Sequence, residues 1–97
     1  GHIGPPGTGR MDIKGMNLFH PPVKRSITIA GHQTSITLEP LFWELLRAAS
    51  ENRALPVNAL VARIDVARME EQEPPGLATA IRLWLTNDLL GKLDASD

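Results

Sequence analysis

The sequence predicts a small α+β domain, mainly helical, in which a short β ribbon precedes three helices. Two patterns lead to this prediction. Apolar and polar residues alternate from Gln33 to Leu38, which is typical of a half-buried strand. Apolar residues recur every three or four positions in three later segments, which is typical of helices with one buried face.

The segment just upstream of the alternating strand can pair with it. Ser26–Ile29 places its two isoleucines on one face and its serine and threonine on the other. Ala30-Gly31-His32 supplies a turn, with a glycine that tolerates positive φ. We therefore expect a hairpin of Ser26–Ile29 with Thr34–Leu38. Its apolar face needs a cover, because an isolated hairpin is only marginally stable in water.

Three helices are predicted to provide that cover. The first begins at Glu39-Pro40, where the missing N–H of proline is harmless, and it ends near Asn52. The second runs from about Pro56 to Met69, and the third from about Leu77 to Leu90 with Gly91 as its C-cap. The predicted buried stripes are Leu41, Phe42, Leu45, Leu46 and Ala49, then Val57, Leu60, Val61 and Ile64, then Leu77, Ile81, Trp84, Leu85 and Leu89.

Charge and composition exclude several classes of protein. The net charge is −1, so the chain is not uniformly basic, but residues 1–35 carry +3 and the remainder −4. This asymmetry favours an anionic partner at one end, although ordinary solvated charge explains it about as well. Without cysteine the chain has no disulfide or thiolate metal site, which fits a reducing cytoplasm. No apolar run reaches the roughly 18 residues of a membrane span, and no signal-peptide pattern is visible.

Residues 1–22 are predicted to be a disordered leader and arm. GPPGTGR, Gly4 to Arg10, looks like a phosphate-binding loop, but Arg10 and Met11 stand where that motif needs lysine and a hydroxyl. We expect residues 1–10 to be the remnant of a trimmed tag. HPPVKR, His20 to Arg25, should be an extended arm, because proline disfavours a helical residue before it.

The segment TSITLEPLFWELLRAASENRALPVNALVARI, Thr34 to Ile64, resembles the bacterial ribbon-helix-helix family of the Arc and MetJ repressor type. KRSITIAGHQTSITLEPLFWELL resembles, more narrowly, a small bacterial subgroup with an N-terminal hairpin and a third helix. The resemblance extends over about Lys24 to Leu90. It implies an intertwined homodimer in which each chain gives one strand to an antiparallel ribbon. Residues 23–91 would form the domain, and residues 92–97 a frayed tail.

The resemblance also implies a function. Such proteins are dimeric, cytoplasmic DNA-binding transcriptional regulators, some of them antitoxins, and their ribbon reads the major groove. The base-reading residues would be Gln33, Ser35 and Thr37, although these are equally well interpreted as the wet face of a sheet. The phosphate-contacting residues would be Lys24, Arg25, His32, Val57, Asn58 and Ala59.

This chain departs from the family's pattern at two places. Its strand contains no arginine or lysine, and Ala54 and Pro56 stand where the family usually has a glycine and a Ser/Thr cap. The upstream strand would also widen a shared sheet to four strands, too broad for a groove that takes two. The alternative is a dimeric module that binds a protein partner, for instance through the third helix, without affinity for DNA.

Dimerisation follows from the apolar content. About 65 ordered residues cannot bury so many large apolar side chains in one strand-and-helix layer, so we expect an interface on the order of 2,000 Å². Its predicted core is Ile36, Leu38, Phe42, Leu45, Leu46, Leu60, Val61 and Ile64. No enzymatic activity, metal or cofactor is expected, because the histidines are isolated and the serines have no base beside them.

Overall fold

The computed structural model describes the backbone of residues 11–12 and 16–95 and the side chains of residues 17–94. The loop-like sequence Gly4 to Arg10 and the expected tag remnant lie outside the described residues. Two short strands, β1 (Met11–Asp12) and β2 (Met16–Asn17), pair in antiparallel fashion ahead of the main hairpin.

The predicted hairpin is confirmed, and it is longer than the sequence indicated. Its strands, β3 (Val23–Ile29) and β4 (His32–Leu38), form a two-stranded antiparallel sheet. The turn has two residues, Ala30 and Gly31, with φ angles of 51° and 84°. Positive φ at both positions is the signature of a type I′ turn, whose twist matches that of the strands. His32 therefore belongs to β4 and pairs with Ile29.

Three helices follow the hairpin, so the predicted α+β class is confirmed. Their bounds are α1 Pro40–Asn52, α2 Val57–Met69 and α3 Leu77–Ala95. The predicted end of α3 at Leu90 is wrong, because the helix continues through Gly91. Glycine inside a helix costs only about 1 kcal/mol, and Lys92 pairs with Asp88 at 3.5 Å across that position.

The link between α1 and α2 turns through Ala54, whose φ is 54°. The N–H of Leu55 donates to Ser50 O at 2.9 Å, and that of Ala54 donates to Glu51 O at 3.0 Å. These two bonds form a Schellman motif, in which the residue at the Ala54 position is usually glycine because it is left-handed. The glycine expected from the resemblance therefore has a conformational reason, and this chain places a strained alanine there.

The inner face of the hairpin packs on the three helices. Ile36 and Leu38 are 3% and 0% exposed, and α3 completes the layer with Ile81 and Leu85. The buried apolar residues form one cluster: Ile36, Leu38, Trp43, Leu46, Ala49, Leu60, Val61, Ile64, Ala80, Ile81 and Leu85. A single chain thus contains a continuous core. Among the described residues, no helix is long and apolar enough to cross a bilayer.

Candidate nucleic-acid interface

The outer face of β4 carries the three predicted base-reading residues. Gln33, Ser35 and Thr37 are exposed, whereas Ile36 and Leu38 point into the core. This separation follows from the strand geometry, because successive side chains point to opposite faces. The three polar side chains therefore lie in one row on the solvent side of the hairpin.

Strand β3 adds a second row to the same face. Lys24 lies opposite Thr37, Ser26 opposite Ser35, and Thr28 opposite Gln33. Directly opposed residues of an antiparallel pair share a face, so the outer face has two rows of three polar side chains. All six are exposed. We call them the outer face: Lys24, Ser26, Thr28, Gln33, Ser35 and Thr37. It offers four hydroxyls, one amide and one ammonium group.

Arg25 points to the opposite side of the hairpin from Lys24. It pairs with the buried Ile36, and its guanidinium lies over the ring of Trp43 at 5.1 Å. Trp43 is 7% exposed, and its Nε1–H donates to Val23 O at 2.9 Å, which ties α1 to β3. The two basic residues predicted to act together therefore diverge, and only Lys24 belongs to the outer face.

Arg25 instead comes near the start of α2. Both Arg25 and Val57 line a cavity of about 400 Å³ between the hairpin and the N-terminal ends of α1 and α2. Ser26, Ile27, Pro40, Trp43, Glu44 and Arg47 line the rest of it. This places one predicted phosphate-contacting side chain and the predicted phosphate-binding helix end on the same flank of the hairpin.

The first turn of α2 retains free backbone donors. Pro56 occupies the N-cap, so its missing N–H lies before the helix and removes no donor from the first turn. The N–H of Ala59 donates to Pro56 O at 3.0 Å, whereas those of Val57 and Asn58 have no acceptor within the described residues. No acidic residue lies in this turn. Two of the three predicted donors are therefore available to an anion.

His32 lies elsewhere. It faces the inner side of the hairpin, opposite Ile29, and lines a separate cavity with Asp65 and Arg68 from the C-terminal half of α2. The six predicted phosphate-contacting residues are thus found in three places: Lys24 on the outer face, Arg25 with the α2 start, and His32 at the turn.

Most basic side chains of the helices are neutralised by carboxylates. Arg47 is bound by Glu44 and Glu51, which raise the pKa of its guanidinium. The hydrogen bond from Arg82 Nε, at 2.9 Å, lowers the pKa of Glu39. Within the described residues, the basic side chains without a carboxylate partner are Lys24, Arg25 and Arg63.

Asp88 connects α3 to the end of α1. Burial alone would raise the pKa of this carboxyl, but Arg53 at 2.7 Å and Lys92 at 3.5 Å lower it overall. Arg53 also lies over the ring of Trp84 at 4.8 Å. The sequence gave no sign of these contacts, because their partners are far apart along the chain.

The outer edge of β4 is open. Because a two-residue turn joins the strands, Ile29 and His32 exchange backbone hydrogen bonds, and so does every second pair along the ladder. The peptide groups of Gln33, Ser35 and Thr37 therefore point away from β3. Arg82 Nη2 donates to Thr37 O at 3.5 Å, which agrees with this orientation. Another strand could add at this edge.

The predicted dimer core is divided between two environments. Six of its residues are buried within the single chain: Ile36, Leu38, Leu46, Leu60, Val61 and Ile64. Phe42 and Leu45 are half-buried. The most exposed apolar side chains of the helices were not predicted as interface, and they are Val66, Met69, Leu83, Leu89, Leu90 and Leu93. Their exposure is a property of the packing of α2 against α3.

No group of three or more histidine and carboxylate side chains capable of holding a metal occurs among the described residues. A family model for the ribbon-helix-helix domain matches residues 22–89, which includes the hairpin and nearly all of the three helices. No curated protein and no solved structure gives a match. Ribbon-helix-helix proteins usually bind DNA as transcription regulators, dimerise, and are typically non-enzymatic. With its ribbon, its two following helices and this match over most of its length, the chain belongs to the ribbon-helix-helix family.

Proposed function

We propose that this protein is a homodimeric, sequence-specific, DNA-binding transcriptional regulator of the cytoplasm that inserts its ribbon into the major groove. The observation that supports this is the outer face, which is polar, exposed and free of internal salt bridges in a member of a DNA-binding family. Gln33 can bond adenine through both atoms of its amide, and Ser35 and Thr37 can donate to or accept from base edges.

Phosphate contacts would flank the groove. Lys24 lies at one end of the outer face, next to Thr37, and Arg25 lies beside the start of α2. The free N–H groups of Val57 and Asn58, together with the helix dipole, favour an anion at that start. A ribbon in the groove would thus have cationic or N–H donors on the side where the DNA backbone passes.

The dimer is part of the proposal. Because one chain already buries a core, the second copy would cover the remaining apolar surface rather than complete the core. Substituting Ile36 by aspartate would disrupt that core, so it is a poor test of association. Light scattering of the folded protein at micromolar concentration should give the mass of two chains. The mass of one chain would contradict the homodimer.

The alternative, a module that binds a protein partner, is supported by a different surface. A groove of about 400 Å³ lies between α2 and α3, lined by Ala67, Ala80, Leu83 and Trp84 among others. Leu83 is 61% exposed there. An antitoxin-like regulator would use both surfaces, whereas a module without DNA affinity would use only this one.

Duplex DNA binding measured across a salt series separates the two functions. We expect the wild-type affinity to fall steeply as salt rises, because each neutralised phosphate contributes about −0.9 to the slope of log K against log salt. Lys24→Ala should weaken binding severalfold and reduce the steepness of the slope by about one for each Lys24 contact. No binding at low salt would contradict the regulator and favour the module.

Arg63→Ala is the matched control, because Arg63 is an exposed cation without a carboxylate partner that lies on α2, outside the hairpin. It should leave the salt slope close to that of the wild type. Arg25→Ala should also weaken binding, but it removes the contact with Trp43 as well. A thermal melt of that variant is therefore needed to separate lost folding from lost binding.

A further inference from the structure

We infer that β3 supplies a second row of base-reading side chains, with Ser26 and Thr28 as specificity-determining residues, so that one chain contains the complete ribbon. This inference rests on the proposed function. In the arrangement implied for the family, the strand beside β4 comes from the partner chain. Here the chain's own β3 pairs with β4 along its whole length, from Val23↔Leu38 to Ile29↔His32.

The register places the two rows within reach of the same bases. Ser26 lies opposite Ser35, and Thr28 opposite Gln33, in pairs that do not exchange backbone hydrogen bonds. Directly opposed Cβ atoms in such pairs are about 4.5–5.5 Å apart. Any base edge in contact with Gln33 would therefore be a close neighbour of Thr28, whose side chain is equally exposed.

The dimensions of the groove favour a ribbon from one chain. Neighbouring strands are about 4.8 Å apart, so the backbones of a two-stranded ribbon fit in a major groove about 12 Å wide. If a partner's β4 added at the open edge of β4, four strands would span about 14 Å between their outer backbones. That sheet is wider than the groove before its side chains are counted. Insertion of β4 together with β3 thus leaves no space for a second pair.

The residue types on β3 suit base recognition. The hydroxyls of Ser26 and Thr28 can donate or accept, and the methyl group of Thr28 can contact the methyl group of thymine. Alternate residues of a strand are about 6.8 Å apart, which corresponds to about two base pairs. Thr28 and Gln33 should therefore affect one part of a recognition site, and Ser26 and Ser35 the part about two base pairs away.

Selection of binding sites from randomised duplex DNA tests this inference. We expect Thr28→Val to reduce the wild-type base preference at least fivefold, at positions next to those that depend on Gln33. Ser26→Ala should do the same about two base pairs away. Thr34→Val is the matched control, because Thr34 makes the same chemical change on the inner face of the hairpin. It should retain the wild-type preference. Thermal melts should show that all three variants fold.

The outcomes separate the inference from the proposed function. If Gln33→Ala changes the preferred sequence while Thr28→Val and Ser26→Ala select the wild-type sequence, the role of β3 is overturned and the regulator survives. If the wild type shows neither salt-dependent binding nor an enriched sequence, the proposed function fails and the inference fails with it.

Discussion

The hairpin and the helical layer satisfy their polar groups in different ways. In the helical layer, arginines bind carboxylates across helix turns or between elements, and the exposed Arg63 is an exception. On the outer face of the hairpin, Lys24 and its neighbours have no side-chain partner within the described residues. Polar side chains held in a fixed row without partners are free to bind another molecule. The difference indicates that the helices mainly provide a support and the hairpin provides the binding surface.

The support also differs from the hairpin in packing. The helices contribute most of the buried cluster, whereas the hairpin contributes Ile36 and Leu38 from one face only. The bond from Trp43 Nε1 to Val23 O fixes β3 to α1 at the far end from the turn. The hairpin is thus positioned by a few contacts on its inner side, which leaves its outer side unconstrained by folding.

The largest expected effect comes from cutting into the support. Leu46 of α1 is 0% exposed, so Leu46→Ala should lower the free energy of unfolding by about 2–5 kcal/mol. Thr37→Ala on the outer face should change it by no more than about 0.5 kcal/mol, because this exposed hydroxyl is not part of the core. Urea unfolding followed by circular dichroism measures both. Similar losses from the two substitutions would contradict the division into a support and a binding surface.

A smaller effect of opposite sign is expected at the two left-handed alanines. Ala30 in the hairpin turn and Ala54 in the α1–α2 link have φ angles of 51° and 54°. A left-handed L-residue costs about 1–2 kcal/mol, partly offset by the greater freedom of glycine in the unfolded chain. Ala30→Gly and Ala54→Gly should therefore each raise the free energy of unfolding by about 0.5–1 kcal/mol.

Ala62→Gly is the control for these substitutions. Ala62 lies inside α2, where glycine should lower the free energy of unfolding by about 1 kcal/mol. If all three substitutions changed stability in the same direction, the conformational account of Ala30 and Ala54 would be wrong. A gain at Ala54 but none at Ala30 would indicate that the hairpin turn relaxes more easily than the helix link.

The sequence predicted the elements because each has a clear period. The alternation of β4, the proline start of α1 and the apolar spacing of the helices are local signals, and the structure confirms these elements. The position of Arg25 was not predicted, because β3 was expected to begin at Ser26. Extending the alternation by one residue places Arg25 on the face of Ile27, so the signal was present.

Contacts between distant residues were beyond the reach of periodicity. The pairs Arg82–Glu39 and Arg53–Asp88 join elements whose relative placement depends on the packing of α3. The burial of six predicted interface residues inside one chain has the same cause, because α3 supplies Ile81 and Leu85 to the core. A pattern identifies which side chains are apolar, but it does not decide whether a helix of the same chain or a second copy covers them.

The origin of the second ribbon strand is tested most directly by a disulfide. The chain has no cysteine, so Ser26→Cys combined with Ser35→Cys introduces one pair whose Cα atoms should be about 4.5–5.5 Å apart, within the range for a disulfide. After oxidation of dilute protein, we expect a bond within one chain and the mass of a single chain under denaturing, non-reducing conditions. Bonds formed predominantly between two chains would show that the strand opposite β4 comes from a partner, and would contradict a ribbon made by one chain.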